Sequence, residues 1–289
     1  MKKIGFIGIG LMGFPMAKNL LRSGCKLNVF NRSIHKANSL KEFGAEISES
    51  VVKLVKNSEV IITMLTDDAA VDQVMGDTDF IDNLIPGTTI IDMSSVKPET
   101  AIKHANNLKK KQINYLDSPV SGGTIGAEEA SLAIMTGGEQ KVFDEVESIL
   151  KKMGNPTLVG PVGSGQVSKL ANQIIVGLTI GAVAEAVTLC EKAGADPNKM
   201  ISALTGGWAD SRVLQTHGKR MISKDFSPKG KTFTQLKDMN NILECANSFN
   251  THLPISNLVK EMYKNLVENG HGDKDHSSLY EEIERMNKK

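Results

Sequence analysis

The sequence predicts an α/β chain in which a doubly wound, mainly parallel sheet occupies residues 1–162 and an all-helical domain occupies residues 163–289. Three observations predict it. Short apolar runs alternate with amphipathic stretches through the first half, strand signals fade after GNPTLVGPVGSG, and a long apolar segment without proline runs from Gly165 to Ala193. A chain of 289 residues suits two domains of ordinary size.

The first unit reads as strand, helix, strand: Ile4 to Gly8, then the amphipathic segment Leu11 to Arg22, then KLNVF at Lys26 to Phe30. Further strands are expected at Glu59 to Leu65, at Thr88 to Met93 and from Ile113, with helical spacers such as ETAIKHANNLKKK. In the second half, the apolar segment ends at Gly194 and Pro197, a helix stop signal. Helices should follow at Pro197 to Leu204, Ser211 to Met221, Thr232 to Asn247 and Pro254 to Asn269.

Composition excludes several function classes. With 40% hydrophobic and 23% charged residues and a formal charge of +1, the chain resembles a soluble globular protein, neither disordered nor a coat for nucleic acid. Cys25, Cys190 and Cys245 lie far apart with no CxxC pair, so neither a disulfide framework nor a zinc knuckle is expected, and a cytoplasmic location is. The segment from Gly165 would form a helix of about 40 Å. Asn172, Gln173 and Glu185 interrupt its apolar surface, which reads as a buried helix rather than a membrane span. Its GxxxG pair, Gly177 and Gly181, signals close helix packing, and its apolar character points to a homodimer or homotetramer.

Directly after the first strand, Gly8, Ile9, Gly10, Leu11, Met12 and Gly13 form a GxGxxG that opens a helix, the context of a Rossmann-type dinucleotide site. The helix N-terminus offers free N–H groups to phosphates. NAD sites usually carry an acidic residue about 20 positions on. No Asp or Glu occurs before Glu42, and the second strand ends in Asn31 and Arg32, with His35 and Lys36 nearby. An arginine there can fork onto a 2′-phosphate, which favours NADP(H) and leaves NAD(H) open; the alternative is a solvated basic helix start.

Helical spacing puts Lys169, Asn172 and Gln173 of GSGQVSKLANQ on one face, with Gly165 expected to leave that face open to a ligand. On spacing alone, Lys169 is either a snorkelling helix-start lysine or a group that exchanges a proton with a carbonyl oxygen undergoing reduction. At the end of a predicted strand, Ser121, Gly122 and Gly123 of DSPVSGG offer a hydroxyl and bare N–H groups to a carboxylate, or form an ordinary glycine turn. Lys237 of LKDMN reaches a carboxylate or a cofactor, or is simply solvated. HGDKDH, His271 to His276, lacks metal spacing and reads as a polar loop, so no metal is expected; no GxSxG or GxxxxGKS occurs.

Taken in order, GFIGIGLMGFPMAKNL, IDMSS, DSPVSGG, GSGQVSKLANQ and LKDMN resemble the β-hydroxyacid dehydrogenase family over nearly the whole chain. The resemblance implies that Lys169 is the catalytic acid/base and that Ser121, Gly122 and Gly123 hold the substrate carboxylate. It also implies that Lys237 stands near substrate and nicotinamide, and that Met64, Leu65 and Ser95 line the cofactor. Many members end the lysine motif in two asparagines; here Gln173 follows Asn172, shifting the amide's reach by one methylene. The implied activity is NADPH-dependent, reversible reduction of a small carboxylate-bearing aldehyde such as tartronate semialdehyde, glyoxylate or succinic semialdehyde. The alternatives are an NAD-dependent 3-hydroxyisobutyrate-type dehydrogenase and a non-catalytic NADP-binding module.

Overall fold

The computed structural model describes residues 2–288. Nine strands form one sheet in the order β3-β2-β1-β4-β5-β6-β8-β7, with β9 on β8. They are β1 Ile4–Ile7, β2 Leu27–Phe30, β3 Glu46–Ile47, β4 Val60–Thr63, β5 Thr89–Asp92, β6 Asn114–Asp117, β7 Val120–Ser121, β8 Leu132–Gly137 and β9 Gly154–Gly160. From β3 to β6 the sheet is parallel. The connection reverses after β6, so that β8 pairs antiparallel with β6 and β7 and parallel with β9. The sequence expectation of a mainly parallel sheet therefore holds, but it did not include the two-residue β3, nor β8 and β9. β8 and β9 bury only part of their residues, and β9 alternates strictly and carries Pro156, so neither reads as a continuous apolar stretch.

Parallel strands covered on both faces are apolar at successive positions. Ile62, Ile91 and Leu116 enter one core with Phe6, Met16 and Leu20, while their neighbours Ile61, Ile90 and Tyr115 enter the other with Leu54, Phe80 and Val96. Each such side chain contributes about 1.5–3 kcal/mol on burial.

Two compact units divide at Lys169 and Leu170, inside the helix Ser164–Lys192. The sequence boundary at 162 lies just before that helix. Its first turn is hydrogen-bonded to Asp117 through the Gly163 and Gln166 N–H groups, which assigns the turn to the sheet unit.

The second unit is helical, with Pro197–Leu204, Thr232–Ser248, Pro254–Leu266 and Leu279–Met286 packed around Ile180, Val187, Met239, Tyr263 and Tyr280. By length and composition Ser164–Lys192 is apolar enough to cross a membrane, with a window of mean hydropathy 1.8. At Gly177 a Cβ would stand 2.8 Å from Gln235 Nε2 and 3.2 Å from Met239 Sδ, so the glycine admits the helix Thr232–Ser248 of the same chain.

HGDKDH is not a solvated loop. Asp275 is fully buried, its Oδ1 accepting from Ser277 N and Oγ and its Oδ2 from Lys229 N and Gly230 N, with Arg220 Nη1 at 3.2 Å. The His217 and His276 rings meet edge to face at 4.7 Å. Although His217, Asp275 and His276 offer ligand atoms within 4.8 Å of one another, a guanidinium already neutralises the carboxylate and its lone pairs are occupied. The arrangement is a structural latch between segments.

Its titration gives a signed expectation. Burial, then the neighbouring His217 charge, lowers His276 to about 4 from its ordinary value, so the fold holds it neutral. The stability this contributes is full above about pH 6.5 and is lost as pH falls toward 4, an effect on the order of 3 kcal/mol. Asp275 is held at about 2 against a desolvation penalty, chiefly by the Ser277 hydroxyl, and its contribution is lost only below the ordinary aspartate range. Asp117, whose carboxyl is raised to about 6, works in the opposite direction over this range, so the His276 contribution is read as a difference: relative to His276→Asn, the wild type should lose melting temperature between about pH 6.5 and 4 in scanning calorimetry.

Candidate active site

The three fingerprint glycines do different work. Gly8 has φ +102°, and a Cβ there would lie 2.2 Å from Met64 O; at Gly13 a Cβ would lie 1.9 Å from Gly8 O. Gly10, by contrast, has nothing within 4 Å of its Cβ position. The first and third glycines thus let the turn close between β1, β4 and the helix Gly13–Arg22, and the second leaves the backbone bare toward solvent. That vacant space beside the orphan N–H groups of a helix start fits a pyrophosphate. Gly13→Ala should cost at least about 3 kcal/mol of stability, because the clash is with backbone and cannot be relieved by a rotamer change; a urea titration reads it directly.

Asn31 braces this turn from β2: its Oδ1 accepts from Ile9 N at 2.9 Å and its Nδ2 donates to Ser33 O at 2.9 Å. The amide is thereby engaged inside the protein, and Arg32 beside it is exposed. Among the described residues, Arg32, His35 and Lys36 have no carboxylate partner within 4.0 Å. Three unpaired basic groups at the β2 end can accept a phosphate.

Met64 and Leu65 follow β4 and are half-buried. Leu65 N donates to Ser94 Oγ at 2.9 Å, and Ser95 is half-buried in the next position. Beneath them, Asp92 Oδ1 accepts from Thr63 Oγ1 at 2.8 Å and from Ser94 N at 3.0 Å. Burial raises the Asp92 carboxyl from its ordinary value, with these hydrogen bonds opposing the shift. Ser94 and Asp92 escaped the sequence reading because the IDMSS motif drew attention to Ser95.

Ser121 ends β7, and Gly122 and Gly123 both have positive φ, +137° and +61°. Nothing lies within 4 Å of the Gly123 Cβ position, so the loop's backbone is accessible. A depression of about 780 Å³ in the sheet unit is lined by Gly10, Leu11, Phe14, Lys18, Lys36 and Thr124 among others, so the dinucleotide turn and the residue after the SGG loop border the same space.

Lys169 is half-buried in the second turn of Ser164–Lys192. Gly165 does not open its face to a ligand as the sequence suggested: a Cβ there would meet Met135 O at 2.5 Å and Asp117 O at 2.6 Å, so the glycine serves the packing of the helix onto β6 and β8.

In the helical unit, Gln173 Nε2 donates to Asp238 Oδ2 at 2.6 Å, and Gln173 Oε1 accepts from Asn172 Nδ2 at 2.8 Å. Lys237 Nζ stands 3.7 Å from Asp238 Oδ1. The candidate residues Asn172, Gln173 and Lys237 are thus joined through a buried carboxylate, Asp238, that sequence reasoning missed although it lies within LKDMN. An acid beside a lysine on a helix reads as surface charge; burial is what distinguishes it. Trp208 is fully exposed on a loop braced by Asp210, whose Oδ2 accepts from Gly206 N and Oδ1 from Gln215 Nε2.

Residues 3–176 match the family model of the NAD binding domain of 6-phosphogluconate dehydrogenase, and residues 163–283 match that of the NAD-binding domain of NADP-dependent 3-hydroxyisobutyrate dehydrogenase. The chain is 41% identical over 286 residues to 2-hydroxy-3-oxopropionate reductase of Escherichia coli (strain K12), covering 98% of each. The chain belongs to the β-hydroxyacid dehydrogenase family. Another relative, the mitochondrial 3-hydroxyisobutyrate dehydrogenase of Drosophila melanogaster, is 33% identical over 97% of this chain and 89% of its own. Among solved structures, 3-hydroxyisobutyrate dehydrogenase of Mycobacterium tuberculosis with L-serine superposes with TM-score 0.89 at 26% identity, over 98% and 99% of the two chains. This β-hydroxyacid dehydrogenase is therefore an NAD(P)-dependent oxidoreductase acting on the hydroxyl group of a small hydroxyacid.

Proposed function

We propose that the enzyme reduces a small carboxylate-bearing aldehyde with NADPH, reversibly, and that tartronate semialdehyde, glyoxylate and succinic semialdehyde are its candidate substrates. The observation that carries this reading is the shared depression bordered by the bare Gly10–Leu11 backbone and by Thr124, next to the SGG loop. A nucleotide turn and an anion-binding loop open onto the same space. The identity to 2-hydroxy-3-oxopropionate reductase supports the first of the three substrates, since tartronate semialdehyde is 2-hydroxy-3-oxopropionate.

In this reading, Ser121 Oγ and the Gly122 and Gly123 N–H groups hold the substrate carboxylate and fix the carbonyl's orientation. A nicotinamide held at the turn would supply the hydride that the carbonyl carbon takes up. Lys169 gives its ammonium proton to the carbonyl oxygen and stabilises the negative charge that builds there; in the reverse direction its amine takes the hydroxyl proton. The Asn172–Gln173–Asp238 chain holds the amides and Lys237 in set orientations near the substrate. Gly8, Gly10, Leu11, Met12 and Gly13 would receive the cofactor's pyrophosphate, Met64, Leu65, Ser95 and Lys237 would line its nicotinamide half, and Arg32 beside Asn31 would pair with its 2′-phosphate. Residues 1–162 serve the cofactor, residues 163–289 serve substrate and subunit contacts, and the enzyme works in the cytoplasm as a homodimer or homotetramer.

Steady-state rates with NADPH and NADH against three- to five-carbon semialdehydes test the reading. One of the named aldehydes should be turned over with NADPH preferred. Oxidation of 3-hydroxyisobutyrate with NAD in preference to all of these would favour the alternative of an NAD-dependent 3-hydroxyisobutyrate-type dehydrogenase; the Drosophila relative's name supports its substrate and says nothing of its cofactor.

A further inference from the structure

Asp117, at the end of β6, is fully buried, and both its oxygens are turned on the first turn of the helix that carries Lys169. Oδ1 accepts from Gly163 N at 2.8 Å and Oδ2 from Gln166 N at 2.9 Å. The opening N–H groups of a helix lack intrahelical partners, and a residue just before the helix ordinarily satisfies them. Here the acceptor comes from a strand 46 residues upstream of Gly163. Glycines make room for it: a Cβ at Gly137 would lie 2.5 Å from Asp117 Oδ1, and one at Gly165 2.8 Å from Oδ2. Gln166 adds a second clamp, its Oε1 accepting from Val96 N at 3.1 Å and its Nε2 donating to Ser94 O at 2.9 Å. Lys169 follows Gln166 by three residues, on the same side of the helix.

We propose that Asp117 is a positioning residue for hydride transfer chemistry at this site, its carboxylate clamping the helix start so that the Lys169 ammonium stands where the reacting oxygen needs it. The inference rests on the acid/base reading of Lys169. An ionised carboxylate has two acceptors for two N–H donors. Once protonated, the oxygen that carries the hydrogen is the weaker acceptor for its N–H, so one clamp loosens. Burial raises Asp117 to about 6, against the lowering effect of the Gly163 and Gln166 hydrogen bonds. The groups facing it are Asp92 on β5, whose charge raises it further, and Tyr115 on its own strand. Gly137 of β8, the turn before Gly163 and the helix present glycines, backbone and Gln166, and Lys169 is the next charge along the helix.

The direction of that shift separates positioning from stability. A carboxyl raised in the fold makes the ionised protein less stable than the protonated one, so this group adds stability as pH falls from about 6 through the ordinary aspartate range.

The test is the pH profile of kcat for the wild type and Asp117→Asn, together with amide resonances of the wild type. Wild-type kcat should fall below a midpoint near 6, and the Gly163 and Gln166 amide signals should move with the same midpoint. Asp117→Asn should lack that acidic limb and show kcat lowered about 10- to 100-fold with KM values within about threefold. An Asp117→Asn enzyme with wild-type kcat, or one that keeps the acidic limb, overturns the proposal. If the variant does not fold, the wild-type amides decide: signals unmoved between about pH 5 and 7 overturn it equally. Undiminished turnover by Lys169→Ala overturns the lysine's role instead, and leaves the amide titration as a separate report on the clamp.

Discussion

Lys169→Ala should lower kcat by about a thousandfold, within the 10²–10⁴-fold range of a positioned proton donor, while NADPH binding measured by fluorescence stays within about twofold. On the proposed acid/base role, the asymmetry follows because the proton would reach the oxygen only as the hydride arrives, so its loss would be felt in the transition state and hardly in the ground state. Lys169→Arg should not restore the rate: a guanidinium holds its proton across the accessible pH range and occupies a wider, planar volume. Recovery of more than about a tenth of wild-type kcat by the arginine variant would mean that positive charge alone is needed, with no proton transfer.

Arg32→Ala should lower kcat/KM for NADPH by about 10- to 100-fold and leave the value for NADH within about twofold, because a charge-assisted bidentate bond contributes about 1.5–3 kcal/mol. On the proposed NADPH preference, the selectivity would depend on what surrounds Arg32 as well as on its own charge. The second strand ends without an Asp or Glu to accept a ribose hydroxyl, and Asn31, which might have taken that role, spends its amide on Ile9 N and Ser33 O. His35 and Lys36 remain, so some NADPH preference should survive in the variant and vanish on adding salt. An unchanged preference would remove the 2′-phosphate assignment.

Lys169 and Arg32 both stand in motifs that the sequence exposes, and the reason is physical. GxGxxG is legible because each glycine answers a separate steric demand, and the spacing alone says which positions cannot carry a side chain; the close approaches at Gly8 and Gly13 bear this out. The long helix Ser164–Lys192 is legible for the same kind of reason, its apolar length ending at Gly194 and Pro197. What the sequence hides is the partner of each buried polar group. Asp117, Asp92 and Asp238 look like ordinary acids in their motifs, and only long-range contacts give them the Gln166, Thr63 and Gln173 partners that organise the site. Gly165 was legible as a glycine and misread in purpose, since the demand it answers comes from Met135 and Asp117, distant in sequence. The latch at Asp275 was lost for the same reason, because its donors lie at Lys229 and Gly230.

Recognition of an aldehyde through its carboxylate, followed by reduction with NADPH, is tested most directly by comparing NADPH oxidation with tartronate semialdehyde and with its methyl ester. The acid should be preferred in kcat/KM by at least about a hundredfold, the worth of a charge-assisted carboxylate site. Equal rates with the ester, or no oxidation of NADPH with any carboxylate-bearing aldehyde, would contradict it.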